Sequence, residues 1–318
     1  MNQTSISVLL MSLSDSQETN YILIICFLLI YLMTVFSNFL IILLIVTCAH
    51  LHTPMYFFLG NLAFLDMSYS SVTAPRLLFA IITQHWSISL SECKTQMFFV
   101  VYFVASESFL LASMSCDRYV AICRPLHYSQ IMSWSTCIYF ISFVWSCGLF
   151  TSITFTLCLK RLTFCGRKLI RSFFCDLPHL LQISCTDPTI NVLVLMGVGG
   201  TLTIVAFVTT FYPYVMIFRT VLRIRTSDGK SKAFSTCTSH LTVVLIFYSS
   251  ATFIYFVPNT SHLLTLNQVF SVIYTLITPL MNPLIYSLRS KDLKAALQRA
   301  LYVHRLHPAP ATRRWPLP

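Results

Sequence analysis

Seven long apolar stretches, separated by short polar connections, run through this chain. The first, Tyr21–Cys48, contains no charged residue. It is followed by Met55–Thr83, Met97–Cys116, Trp134–Leu157, Ile190–Phe218, Ala233–Val257 and Leu263–Leu288. A helix needs about 20 apolar residues to cross roughly 30 Å of hydrocarbon, and an open strand edge is not satisfied in lipid. The pattern therefore predicts an all-α fold: a seven-transmembrane helix bundle with a short amphipathic helix after the seventh span. Residues 1–20 form an N-terminal segment, 21–288 the bundle, and 289–318 a juxtamembrane helix and tail. The apolar stretch Ile6–Leu13 is short, interrupted by serine and lacks a basic flank, so no cleavable signal peptide is expected from it.

Composition agrees with the pattern. Of 318 residues 56% are apolar and 10% charged, and the mean hydropathy is +0.74; soluble domains carry about a quarter charged residues. The net charge of +11 does not mark a nucleic-acid binder, because the basic residues stand in connections between apolar runs. Arg118 and Arg124 follow the third span. Arg219, Arg223, Arg225, Lys230 and Lys232 join the fifth to the sixth. Arg289, Lys291, Lys294, Arg299, Arg305, Arg313 and Arg314 follow the seventh. Basic loops face the cytoplasm and anionic lipid, which places the C-terminus inside and the N-terminus outside the cell membrane. Lys160–Arg171 holds five basic residues on the outer side, and long loops translocate with little regard to charge. The sequon Asn2-Gln3-Thr4 makes Asn2 a glycosylation candidate on that outer side; Asn259-Thr260-Ser261 falls too close to the membrane for use.

Eight of the twelve cysteines lie in or beside apolar runs, where free Cys packs as a small hydrophobe. Cys93, Cys165, Cys175 and Cys185 lie in or beside polar connections and are the disulfide candidates.

Ionisable groups at membrane depth are few: Asp66, Glu107 and the adjacent Asp117 and Arg118. Asp66 and Glu107 hold the bundle together, bind a cation or share a proton, with Asn38 and Asn282 available to complete a polar centre. Arg118 cannot be neutralised, so Asp117 is its natural partner. Such a pair can hold a closed state and be released on opening.

Four longer motifs are more specific. Leu51-His-Thr-Pro-Met-Tyr-Phe-Phe-Leu59 opens the second span, and Met114-Ser-Cys-Asp-Arg-Tyr-Val-Ala-Ile-Cys-Arg-Pro-Leu-His-Tyr128 closes the third. Ser231-Lys-Ala-Phe-Ser-Thr-Cys-Thr-Ser-His-Leu241 opens the sixth, and Pro279-Leu-Met-Asn-Pro-Leu-Ile-Tyr-Ser-Leu-Arg289 closes the seventh. From about residue 20 to residue 299 the chain resembles the olfactory (odorant) receptors, within the rhodopsin-like G-protein-coupled receptors. The resemblance implies a Cys93–Cys175 disulfide, a second between Cys165 and Cys185, and a pinned outer loop over the pocket. It gives Asp117, Arg118, Tyr119, Asn282, Pro283 and Tyr286 the part of activation switches. Tyr214 becomes an activation contact, and His240 and Tyr248 stand at positions typical of the family. It also implies a small-molecule odorant as ligand, a stimulatory heterotrimeric G protein as partner and cyclic AMP as output, with no cofactor and no metal. The chain departs from the family at Ser37-Asn38, at Ser115-Cys116, at Pro213-Tyr214 and in its Pro-rich tail. Pro213 removes a backbone donor and favours a kink beside Tyr214.

Helical spacing places Val100, Val101, Val104, Ala105 and Ser108 on one stripe of the third helix. Val198, Gly199 and Leu202 on the fifth are their expected neighbours. Tyr248, Ala251, Thr252 and Tyr255 on the sixth recur at three and four, and Tyr274 and Thr275 belong to the seventh. The set suits a small, largely apolar ligand held by one or two hydrogen bonds. No acid stands on the third-helix stripe, which argues against a charged amine. A transporter would bring internal repeats and broken helices, and neither is visible. An enzyme is disfavoured because His179 and His262 lack metal-ligand spacing and no Gly-x-Ser-x-Gly motif occurs.

Overall fold

A computed structural model describes residues 7–14, 16–165, 169–223, 226–256 and 264–306. Asn2, the Asn259 sequon, His262 and the tail beyond residue 306 lie outside the described residues. Seven long helices make the bundle: α1 Gln17–Thr47, α2 Pro54–Thr83, α3 Leu90–Cys123, α4 Trp134–Leu159, α5 Thr189–Arg223, α6 Ser227–Phe256 and α7 264–289. A further helix, α8 Lys291–Leu306, follows at once.

All but α2 are long and apolar enough to cross a membrane by themselves. The 30 residues of α2 are interrupted by polar side chains. Those side chains turn inward: Asp66, Ser70 and Thr73 are buried, and Ser70 Oγ donates to its own helix at Asp66 O. The apolar positions of α1 and α5 face the opposite way, with Phe36, Val46, Ile204 and Phe218 exposed on a lipid-facing surface.

The third helix is longer than its apolar run. It begins at Leu90, where Ser89 and Glu92 form a capping box: Glu92 N donates to Ser89 Oγ at 3.2 Å and Ser89 N to Glu92 Oε2 at 3.1 Å. Where α3 crosses α4 the axes come close enough to require glycine. A Cβ on Gly148 would stand 2.1 Å from Ser106 Oγ and 2.7 Å from the Tyr102 carbonyl.

The fifth helix does not break at Pro213, which is buried inside it; its irregularity is a π turn at Leu195–Gly199. A second π turn, Ile273–Ile277, precedes Pro279 in α7, where Thr278 Oγ1 donates to Ile273 O at 3.0 Å. The inward face of α8 buries Leu293 and Ala296, as an amphipathic helix on a membrane surface does.

The end carrying the disulfides, called outer below, holds a small sheet that helical periodicity does not reveal. Strand β1 (Ser7–Leu10) lies between β2 (Ser87–Ser89), antiparallel, and β3 (Leu169–Ile170), parallel. Val8, Leu10, Ile88 and Ile170 point inward and Leu9 outward. The N-terminal segment is thus tied down by Leu10 N to Trp86 O at 2.9 Å, Met11 N to Ser172 O at 3.1 Å, and Gln268 Nε2 to Ser12 O at 3.1 Å.

Candidate functional site

Two bridges order the outer loop: Cys93 is joined to Cys175, and Cys165 to Cys185. Gln96 adds a polar clamp. Its Oε1 accepts from Cys175 N at 2.9 Å and its Nε2 donates to Val72 O on α2 at 3.1 Å. Asp176 caps the short helix Leu177–Gln182 through Leu177 N at 2.7 Å. Burial raises the pKa of Asp176 above the usual carboxylate range and lowers that of His179 below the usual imidazole range.

Beneath this lid the residues of the expected pocket separate into groups. Val100 is fully buried on α3, with Val101 and Val104 packed beside it; Ala105 and Ser108 are half-buried, and Ser108 Oγ donates to Val104 O at 2.9 Å. On α6, Tyr248 is buried, sharing a 3.2 Å hydrogen bond with Thr210 Oγ1 and meeting Phe207 edge-on at 5.4 Å. Ala251 and Leu202 pack on the core, and Val198 is half-buried. Tyr274 and Thr275 are buried on α7; the Tyr274 ring meets Tyr69 at 6.0 Å, and Thr275 Oγ1 donates to Ser271 O at 2.7 Å.

Three positions sit differently from these. Thr252 is exposed, because the three-and-four repeat continues past the edge of the buried face of α6. Tyr255 is 38% exposed as a residue, with its hydroxyl turned in toward Asp176. Gly199 serves packing: a Cβ there would meet Phe155 Cζ of α4 at 2.9 Å.

Deeper in the bundle lies the polar centre. Asn282 Nδ2 donates to both carboxylate oxygens of Asp66, at 3.0 and 3.1 Å. Glu107 is buried, and its Oε1 has no hydrogen-bond partner; the Asn282 amide is within its reach as well. Asn38 Nδ2 joins α1 to α7 by donating to Thr34 O at 3.0 Å and to Pro279 O at 3.1 Å. Among the described residues no three His, Cys, Asp or Glu side chains converge as a metal site.

At the inner end Asp117 is fully buried and holds two partners. Its Oδ2 accepts from Arg118 Nε at 2.9 Å and also from Arg118 Nη2, and its Oδ1 accepts from Tyr128 OH at 2.7 Å. Tyr119 is half-buried alongside. Tyr214 on α5 hydrogen-bonds His240 Nδ1 on α6, with the rings stacked. Pro283 and Tyr286 are buried on α7, and the Tyr286 hydroxyl lies within electrostatic range of both Arg118 and Asp66. Just beyond the inner end of α3 is an open hollow of about 430 Å³ lined by Cys123, Arg124, Pro125, Leu126, His127, Gln130 and Ile131.

A family model described as "Olfactory receptor" matches residues 27–304. The chain belongs to the olfactory receptor family. It is 44% identical over 307 residues to olfactory receptor 1G1 of Gorilla gorilla gorilla, covering 96% of this chain and 98% of that protein. Olfactory receptor 5AR1 of Mus musculus is 44% identical over 291 residues, with 92% and 94% covered. Olfactory receptor 1C1 of Homo sapiens is 42% identical over 292 residues, with 92% and 93% covered. The crystal structure of squid rhodopsin superposes with a TM-score of 0.66 at 18% identity, covering 95% of this chain and 94% of that one, which establishes the seven-helix fold. The receptor is therefore a multi-pass membrane protein and an odorant receptor of the G-protein-coupled class, not an enzyme.

Several residues of the receptor's site carry roles that sequence reasoning did not assign. Tyr128 and Tyr56 both lie inside quoted motifs. Tyr56 OH shares a 2.8 Å bond with Ser290 Oγ and donates to Asp292 Oδ2 at 3.1 Å, tying α2 to the start of α8. A tyrosine inside a conspicuous motif was the available signal. Gln96 and Gly148 had none, since each acts through a second helix.

Proposed function

We propose that the receptor binds small, largely apolar odorants among α3, α5, α6 and α7 and couples to a stimulatory heterotrimeric G protein, raising cyclic AMP. The reading rests chiefly on the Asp117–Arg118 pair, which Tyr128 fastens at the inner end of α3 directly below the apolar cleft. Tyr214 and His240 connect α5 to α6 at the same level, so separation of these helices would uncover Arg118, and release from Asp117 would free it. Leu126 is 91% exposed beside the inner hollow and offers an apolar contact to the G protein. A ligand biases such a switch only by its differential affinity for the two states.

The basic connections place the inner end in the cytoplasm, beside anionic lipid, and the N-terminus outside with Asn2 as a glycosylation site. Asp66, Glu107 and Asn282 form a centre that binds a cation or shares a proton; the clustering of two acids around one amide supports this. An odorant panel applied to cells with a cyclic AMP reporter tests the coupling. Odorant responses should vanish in cells lacking the stimulatory α subunit and return when it is restored. Responses that survive its removal would overturn the choice of G protein.

A further inference from the structure

The α3 stripe carries no acid to pair with an amine, but the outer loop carries one. Asp176 directly follows Cys175, which is fastened to α3 by the Cys93 disulfide and by Gln96. Val100 lies one helical turn below Gln96 on the same face, so Asp176 sits at the outer mouth of the cleft. The residue is 1% exposed. Its Oδ1 is used by the Leu177 cap; the Tyr255 hydroxyl reaches the carboxylate as well, but Oδ2 is sealed from solvent and no hydrogen bond of ordinary length fills it.

Three tyrosines from three helices surround this carboxylate closely enough to feel its charge: Tyr69 of α2, Tyr255 of α6 and Tyr274 of α7. The hydroxyls of Tyr69 and Tyr274 are also buried without partners. The basic group beside Asp176 is His179, which burial holds toward its neutral form. The receptor's described salt bridge is the distant Asp117–Arg118 pair, so no described ion pair neutralises Asp176. A buried acceptor without a partner costs about 1–3 kcal/mol, and more when charged. Several such groups facing one another describe a site made for a donor.

We infer that Asp176, Tyr69 and Tyr274 form a headgroup site for a protonated alkylamine whose tail lies along Val100 and Val104. An ammonium group brings three donors and no acceptor, which matches a carboxylate oxygen and two phenol oxygens, and the tyrosine faces attract the cation further. Glu107 acts on the same two tyrosines from below and is the competing counter-ion. The inference rests on the odorant reading of the cleft, and it names one ligand class for it.

The test uses full-length receptor in lipid nanodiscs and a thermal-shift binding readout, so it does not depend on G-protein coupling. The probes are n-hexylamine and 1-hexanol at equal concentration. The wild-type receptor should be stabilised more by the amine. Asp176→Asn keeps the helix cap but should lower apparent amine affinity at least tenfold, leaving the alcohol response in place. Tyr69→Phe and Tyr274→Phe, which leave the charge intact, should each weaken the amine several-fold. They serve as the test if Asp176→Asn does not fold. Asp187→Asn, an exposed acid of the same outer connection, should leave amine binding unchanged, and Glu107→Gln reads whether the deeper acid is the counter-ion instead. The inference is overturned if the wild type shows no preference for the amine, if the Asp176 and tyrosine variants bind it like wild type, or if only Glu107→Gln loses it.

Discussion

Replacing Tyr128 by Phe removes one hydroxyl and nothing else from the inner switch. That hydroxyl donates to Asp117 Oδ1 at 2.7 Å, and Asp117 is completely buried. The other carboxylate oxygen remains bound to Arg118. A hydrogen bond to a charged group contributes about 1.5–3 kcal/mol, and each 1.4 kcal/mol is about tenfold in an equilibrium. If the bond belongs to the state in which Asp117 holds Arg118, its loss shifts the closed-to-open ratio by roughly 10- to 100-fold. Basal cyclic AMP per surface receptor, measured without odorant, should rise by up to that factor until every receptor is open. The difference should be the same at pH 6.5 and pH 8, because burial and the Asp117 charge push the Tyr128 phenol pKa up and keep it protonated. Basal signalling equal to or below wild type at normal surface level would refute the reasoning.

Gly148→Ala should destabilise the receptor. The hydroxyl of Ser106, 2.1 Å from the new Cβ, can rotate away, but the Tyr102 carbonyl at 2.7 Å cannot; overpacking of this kind costs about 1–3 kcal/mol. An unchanged melting temperature in nanodiscs would contradict the close crossing of α3 and α4. Tyr255→Phe should reorder the ranking of odorants in a cyclic AMP panel while leaving basal signalling alone; a fixed ranking would remove Tyr255 from the site. His179 is half-buried with its pKa lowered by desolvation, so it contributes stability that is present above about pH 6.5, the ordinary imidazole range, and falls below it as the unfolded chain takes up the proton. Asp176, raised by burial, has the opposite sign at more acid pH. His179→Gln should therefore flatten the loss of melting temperature between pH 7 and pH 6, and an unaltered slope would count against the desolvated imidazole.

The spans were legible because bilayer thickness imposes a length and an apolarity that any window of sequence displays. The apolar run Met97–Cys116 understated α3, since the helix continues at both ends, and only the Ser89–Glu92 capping box marks its start. Strand β1 was not legible. Four residues of alternating burial are too short a signal, and their partners lie some 80 and 160 positions away. The polar centre was visible residue by residue, because acids at membrane depth stand out, but the pairing of Asp66 with Asn282 depends on how α2 meets α7. Thr252 belongs to the three-and-four repeat of α6, and periodicity of that kind identifies a face but not its edges. Asp176 lies in a loop, where no periodicity operates at all.

The central claim is that Arg118 transmits odorant binding in the cleft to a G protein at the inner end. Arg118→Ala tests it most directly when odorant binding, surface level and cyclic AMP are measured on the same cells. The expected result is wild-type surface level, retained odorant binding and no odorant-stimulated cyclic AMP. A full cyclic AMP response from the variant would contradict the account.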